Sequence, residues 1–491
     1  MSAGRAGTPA HTSALGGGTV AGQRISRRGV LMGSAALFGA TSIAGIGLSA
    51  APAVAQIQRH PAVRAGYRFL NAAMDVHYPA YGTLRLPQSY SDEIGLYGTA
   101  YLYDAAVAAL AYLAEGSPAS VERARIIGES LRYAQDHDPA YRDGRLRQSY
   151  TVGPYARNGV VQANGFVQPD GLVNAGNVFD HSASYTGDQA WAGLALLALA
   201  RRGLNPAFLT AAVRLGNWVA ATCGTNQALG GYRAGVDRAG TTLTRTDTSH
   251  NAVLAAFFGQ LATLTGDEIW LDRRTKAAAF VHRMWQADGG FYASGSDDGI
   301  VVGRFPVTTA SQTSAVLGLA GSPRAANTAA LDYVIAELTV TDTAERVNSA
   351  LPVGVTVTGV TCSDRSRLVD PTVPVEPGLP TPDPDAVWLE GTAQLAAALL
   401  ERAKPGDLDA ATARLNTLAE AQATLGTDEK AGDKPLADGE GLVAATSPLH
   451  TGLGDTGYYP YRHVGTTAWY LLAVTGTNPL AIGGPAGWER R

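Results

Sequence analysis

The chain has 491 residues, 46% of them hydrophobic, with two cysteines and a formal net charge of −4. That length accommodates one large domain or two modest ones, with ample material for a core. The lack of a basic excess excludes the electrostatic footprint of a nucleic-acid binder, and two cysteines without a Cys-x-x-Cys are too few ligands for a structural zinc site.

The N-terminal segment reads as an address. Ser26-Arg27-Arg28-Gly29-Val30-Leu31-Met32 matches a twin-arginine export motif. A glycine-rich apolar run follows to about Leu48, and Ala53-Val54-Ala55 suits a signal peptidase. Residues 1–55 are therefore expected to be a signal peptide and 56–491 the mature catalytic domain. The leader carries four Arg and no Asp, Glu or Lys, so the mature chain has 34 basic against 42 acidic residues. The expected partner of the leader is the twin-arginine export machinery, and the expected location is secreted or cell-surface. No later apolar run is long enough for a stable membrane span after cleavage. Cys223 and Cys362 could form a disulfide in that location, or stay as free thiols if folding precedes export.

From residue 60 onward two kinds of helix alternate. Amphipathic helices are predicted over 60–74, 120–135, 205–222, 267–285, 322–338 and 407–425. In the second of these, Val121, Ala124, Ile127 and Leu131 share one stripe, while Glu122, Arg123, Arg125 and Glu129 lie elsewhere. Helices that are apolar on nearly every face are predicted over 98–115, 188–200, 249–265, 309–320, 389–402 and 466–475, and such helices are buried all round. After the first helix, each buried one passes to an exposed one through a short Gly- or Pro-bearing turn, such as Glu115-Gly116-Ser117-Pro118. Six hairpins of this kind close into two concentric rings. Three links are long, 139–187, 339–387 and 426–465. The middle one is a loop insertion with an alternating apolar run at 351–361 and a Pro-rich stretch at 371–384. Long links in compact domains commonly carry function, so the end of the ring that holds them is the expected active face.

This all-α arrangement resembles the (α/α)6 toroid of the six-hairpin glycosidase superfamily, and also the toroid polysaccharide lyases. The resemblance is architectural and covers the mature chain. It implies a carbohydrate-active enzyme with its cleft at the N-terminal ends of the inner helices.

Polar residues gather where the buried helices begin. A glycosidase needs two carboxyl groups, one to protonate the leaving oxygen and one to activate water or attack the sugar. Glu390 is the first choice for the acid. It stands at the second position of a buried helix, between Trp388 and Gly391, where burial raises a carboxyl pKa. Asp188 and Asp247 compete for the partner role, and each also suits a helix N-cap. Asp188 stands in Asp188-Gln189-Ala190-Trp191, and Gln189 aligns with Gln312 of a later hairpin, which hints at a structural task. Trp191, Trp388 and Trp469 are expected as sugar-stacking platforms, or as core aromatics. Gln189, His250, Asn251 and Asp104 complete the expected substrate-binding set, with Asp104 inside a buried helix and so expected to be paired. His463 reads as a satisfied core histidine. Asp297-Asp298-Gly299 reads as a solvated turn rather than a calcium loop. No metal or other cofactor is expected.

The sequence thus points to a secreted glycoside hydrolase acting on a poly- or oligosaccharide. A polysaccharide lyase is the alternative, with His250, Asn251 or a tyrosine at hand, although the negative charge disfavours an acidic substrate. A non-catalytic carbohydrate-binding toroid is a third reading. The export signal disfavours an isomerase or epimerase working on cytoplasmic monosaccharides.

Overall fold

The computed structural model describes residues 61–95, 98–157, 160–162, 165–175, 182–454 and 456–482. The predicted signal peptide lies outside the described residues. Twelve α-helices are present among those described: α1 (Pro61–Asp75), α2 (Leu102–Glu115), α3 (Pro118–Asp136), α4 (Thr186–Arg201), α5 (Ala207–Trp218), α6 (Thr248–Thr265), α7 (Ile269–Arg283), α8 (Thr309–Gly318), α9 (Ala329–Glu337), α10 (Leu389–Arg402), α11 (Asp407–Thr424) and α12 (Val464–Val474). None of them is long and apolar enough to cross a membrane.

The even-numbered helices form a closed inner ring. α2 packs on α4, α4 on α6, α6 on α8, α8 on α10, α10 on α12, and α12 back on α2. Each inner helix is backed by an outer one. α3 lies on α2, α5 on α4, α7 on α6, α9 on α8 and α11 on α10, while α1 lies on α12. The first and last helices of the fold thus complete the sixth hairpin together, and the architecture is an (α/α)6 toroid. Composition follows position. Every residue of α4 from Thr186 to Leu199 is buried, because neighbours surround it. α3 buries only the stripe through Ala124, Ile127 and Leu131 and leaves Glu122 and Arg125 to pair at its surface.

Local signals set the hairpin turns. Gly116 ends α2 in the left-handed conformation (φ 74°), and its N–H donates to Tyr112 O. The next residue, Ser117, caps α3 with its hydroxyl, with Pro118 at the first helical position. α9 is shorter than the predicted 322–338. The chain around Pro323 runs as turns, and helix begins only where the Asn327 side chain accepts from Ala329 N. The predicted 205–222 helix ends as α5 and a π-turn over Val219–Cys223. Cys223 and Cys362 are both buried free thiols.

The links from outer to inner helices form a belt around one end of the ring. The residue before each inner helix pairs in antiparallel fashion with the following link: Tyr101 with Ser149, Tyr185 with Gly235, Asp247 with Gly295, Thr308 with Ser363, Trp388 with Ala445, and His463 with Tyr90. The first helical N–H then donates to the next link's carbonyl, from Leu102 to Gln148, Thr186 to Ala234, Thr248 to Ser294, Thr309 to Cys362, Leu389 to Ala444 and Val464 to Ser89. Orphan donors at six helix starts are thereby satisfied, and the six cap residues are held as one rigid collar. Gly295 is required in it, since a Cβ there would lie 2.0 Å from Thr246 O.

The long insertion forms a hairpin of Thr339–Thr343 with Thr356–Val360. Asp342 at its centre accepts from the hydroxyls of Thr446 (2.6 Å), Ser447 (2.7 Å) and Ser349 (2.7 Å), tying the insertion to the last long link. The carboxyl of neighbouring Asp383 is pushed up to about 7, first by burial and then by the charges of Asp342 and Asp385.

Candidate active site

The collar encloses a small pocket lined by Tyr101, Tyr103, Asp104, Gln148, Asp188, Glu390, Tyr458 and His463. These residues come from the starts of α2, α4, α10 and α12, together with the links between them. Three carboxyl groups therefore meet at helix N-termini, where the helix dipole favours negative charge.

Glu390 is 1% exposed. Its Oε1 accepts from Tyr103 Oη at 2.6 Å and from Gln394 Nε2 at 3.0 Å. Its Oε2 has no hydrogen-bond partner and lies 3.7 Å from His463 Nδ1. Burial pushes the carboxyl up to about 7. His463 and the Tyr103 and Gln394 hydrogen bonds pull it down, while Asp104 adds to the rise. With Oε1 engaged by two donors, the proton belongs on Oε2.

His463 Nε2 lies 3.1 Å from Asp104 Oδ2, and both side chains are buried. Burial disfavours imidazolium here, but Asp104, through charge and hydrogen bond, and Glu390 outweigh it and raise the pKa above the ordinary value. The ring stacks on Tyr90 with centroids 4.2 Å apart. Gly465 brings these groups together. A Cβ on it would stand 2.5 Å from Asp104 Oδ1, 2.8 Å from His463 Cε1 and 3.1 Å from Glu390 Oε2.

The expected site residues divide into three groups. Glu390, Asp188 and Asp104 share the pocket, and Asp188 is 1% exposed in the first turn of α4. Trp191 and Trp469, both fully buried, form the floor beneath it. They pack edge-on to each other, Trp191 packs edge-on to Tyr103, and Trp469 Nε1 donates to Tyr103 Oη at 2.6 Å. They are thus core aromatics and not open stacking platforms. Asp247, His250 and Trp388 are elsewhere, lining a neighbouring cleft that meets the pocket at Tyr458.

Gln189 and Asn251 depart from the expected substrate-binding role. Gln189 accepts from Leu146 N (2.8 Å) and donates to Leu146 O (2.9 Å). Asn251 does the same with Tyr232, and Gln312 with Tyr292. At the fourth position of three inner helices, an amide side chain clamps the backbone of a preceding link, so its polar atoms are spent inside the fold. Asp298 accepts from Ile300 N and Val301 N, as a turn residue does.

His463, Tyr103, Tyr458 and Gln394 were not among the expected site residues. Register offers the missing signal. His463 is a cap residue in the collar like Asp247, Tyr103 precedes Asp104 in one helical turn, and Gln394 stands one turn after Glu390.

No protein-family profile matches the chain, and no curated protein matches it in sequence. Solved structures do resemble it. One is a family 76 glycoside hydrolase from a bovine Bacteroides thetaiotaomicron strain, 10% identical over 85% of this chain and 78% of that one, with a TM-score of 0.50. A D-mannose isomerase is 11% identical over 85% and 98% of the two chains, with a TM-score of 0.53. A sugar epimerase from a ruminal bacterium is 10% identical over 86% and 98%, with a TM-score of 0.51. At such identities the likeness establishes the toroid fold, which these proteins combine with different reactions.

Proposed function

We propose that the protein is a glycoside hydrolase in which Glu390 is the general acid and Asp188 the base or nucleophile. The observation that carries this reading is the state of Glu390: a buried carboxyl with a pKa near neutrality and one oxygen without a partner, in the same pocket as a second carboxylate. Such a group holds a proton at neutral pH and can deliver it to a glycosidic oxygen. Asp104 pairs with His463, and Asp188, the other carboxylate lining the pocket, is assigned the second role. The same proposal includes the twin-arginine leader over 1–55, the mature catalytic domain over 56–491 and action outside the cytoplasmic membrane. Similarity to a family 76 glycoside hydrolase supports it at the level of fold.

An isomerase would need a base beside the sugar carbon. The Asp104–His463 pair has the make-up of such a base, so the two readings are separated by product and not by this geometry. The test is to incubate the purified protein with plant, fungal and bacterial polysaccharides and oligosaccharides. Expected are new reducing ends that vanish in Glu390→Gln and Asp188→Asn. Ketose formation without new reducing ends, or ultraviolet absorbance from an unsaturated uronate, would overturn the hydrolase reading.

A further inference from the structure

We propose that the cleft beside the carboxylate pocket is a subsite for a second, neutral hexosyl unit, and that Asp247 and Trp388 bind its hydroxyls. The inference rests on the glycosidase reading above and places this sugar across the scissile bond from the unit held by Glu390 and Asp188.

The cleft opens over the starts of α6 and α8 and encloses about 890 Å³, counting the part open to solvent. Tyr458 is common to it and to the carboxylate pocket, so the two lie side by side. Its walls carry apolar surface in Phe305 and Leu453, and the buried ring of Trp388 stacks on Tyr458 with centroids 5.6 Å apart. Sugar faces present apolar C–H surface to such walls.

The polar atoms specify the occupant further. Three residues that line the cleft hold a buried polar atom with no hydrogen-bond partner: Thr246 Oγ1, Asp247 Oδ2 and Trp388 Nε1. Trp388 is 1% exposed, so bulk water does not serve its indole N–H. Native interiors leave few such atoms unpaired, and three along one cleft point to a ligand that supplies the partners. An indole N–H only donates, a carboxylate only accepts, and a hydroxyl does both. A row of sugar hydroxyls matches that mixture.

Charge selects a neutral sugar. Among the described residues lining the cleft, Arg245 is the permanent cation, and it already lies 3.9 Å from Asp247 Oδ2. Asp297 adds negative charge. His250 Nδ1 is hydrogen-bonded to Thr186 Oγ1 at 3.1 Å, and burial lowers its pKa, so it adds no positive charge at neutral pH. A uronate would meet one arginine set against two carboxylates, Asp247 and Asp297, a wall that repels negative charge.

The experiment is calorimetric titration of the Glu390→Gln protein, in which turnover is blocked, with glucose, mannose, cellotriose, maltotriose, mannotriose and trigalacturonate. At least one neutral trisaccharide should bind about 10-fold or more tightly than its monosaccharide. Adding Asp247→Asn, or independently Trp388→Phe, should erase most of that gain while leaving monosaccharide binding within about 3-fold. Circular dichroism and melting confirm that each variant folds. Equal losses for both ligands, no loss, or preference for trigalacturonate would overturn the subsite. Failure of every sugar to bind would instead sink the glycosidase reading, and the subsite with it.

Discussion

Replacing Glu390 with Gln tests the acid assignment through stability as well as turnover. The folded carboxyl titrates at about 7 against an ordinary value of 4.5. At 1.36 kcal/mol per pH unit, that difference corresponds to roughly 3 kcal/mol. The sign follows from proton linkage. A carboxyl whose pKa is raised by folding contributes its full stability below 4.5, loses it progressively between 4.5 and 7, and has lost it above 7. Glutamine does not titrate, so the variant should gain on the native protein by about 3 kcal/mol between pH 4.5 and 7, with a constant difference beyond. For a chain of this size that is about 3 °C in Tm, read by calorimetry of the two proteins across the range. Turnover should fall by about 10²–10⁴ over the same range. A Tm difference that stays flat with pH would mean that Glu390 is ionised in the fold, and the argument for a general acid would collapse.

Three other perturbations bear on the same structure. Gly465→Ala puts a methyl group 2.5 Å from Asp104 Oδ1 and should cost at least as much activity as Asp188→Asn, seen as lost kcat in a protein with native circular dichroism. Gln189→Ala strands Leu146 N–H in the interior, while Leu146 O keeps the Ser184 hydroxyl, so urea denaturation should show a loss of about 1–3 kcal/mol, with sugar binding by the remaining folded protein little changed. Asp383→Asn removes a carboxyl whose pKa folding raises to about 7. The variant should therefore be more stable than the native protein at pH 8 and close to it at pH 4; greater stability at pH 4 than at pH 8, relative to native, would contradict the assignment.

Much of the architecture was legible in one dimension. A helix that is apolar on every face, such as α4 or α12, has no place in a single-layer fold, and its alternation with striped helices such as α3 implies two nested rings. The hairpin turns were equally readable, because Gly116, Ser117 and Pro118 act on their own backbone. Glu390 was readable for a related reason: an acidic residue beside Trp388 in the first turn of a wholly buried helix has no solvent to meet. Asp188 was weaker, since its position serves a cap as well as a catalyst.

What the chain alone determined is whatever depends on neighbours a few residues apart: the periodicity of burial and the stop and start of each helix. What tertiary structure decided is which helix starts face one another. Asp188 and Asp247 competed in sequence, with Asp188 only somewhat favoured by its neighbours Gln189 and Trp191; closure of the ring puts Asp188 with Glu390 and Asp247 around the wall of the next cleft. Gln189 and Asn251 had the look of sugar-binding amides until the collar supplied backbone partners for them. His463 read as an ordinary buried histidine because Asp104, 359 residues away, reaches it only through the contact between the last inner helix and the first. Contacts of that range are absent from local patterning. They arise when six hairpins close, and the pKa values on which the chemistry depends arise with them.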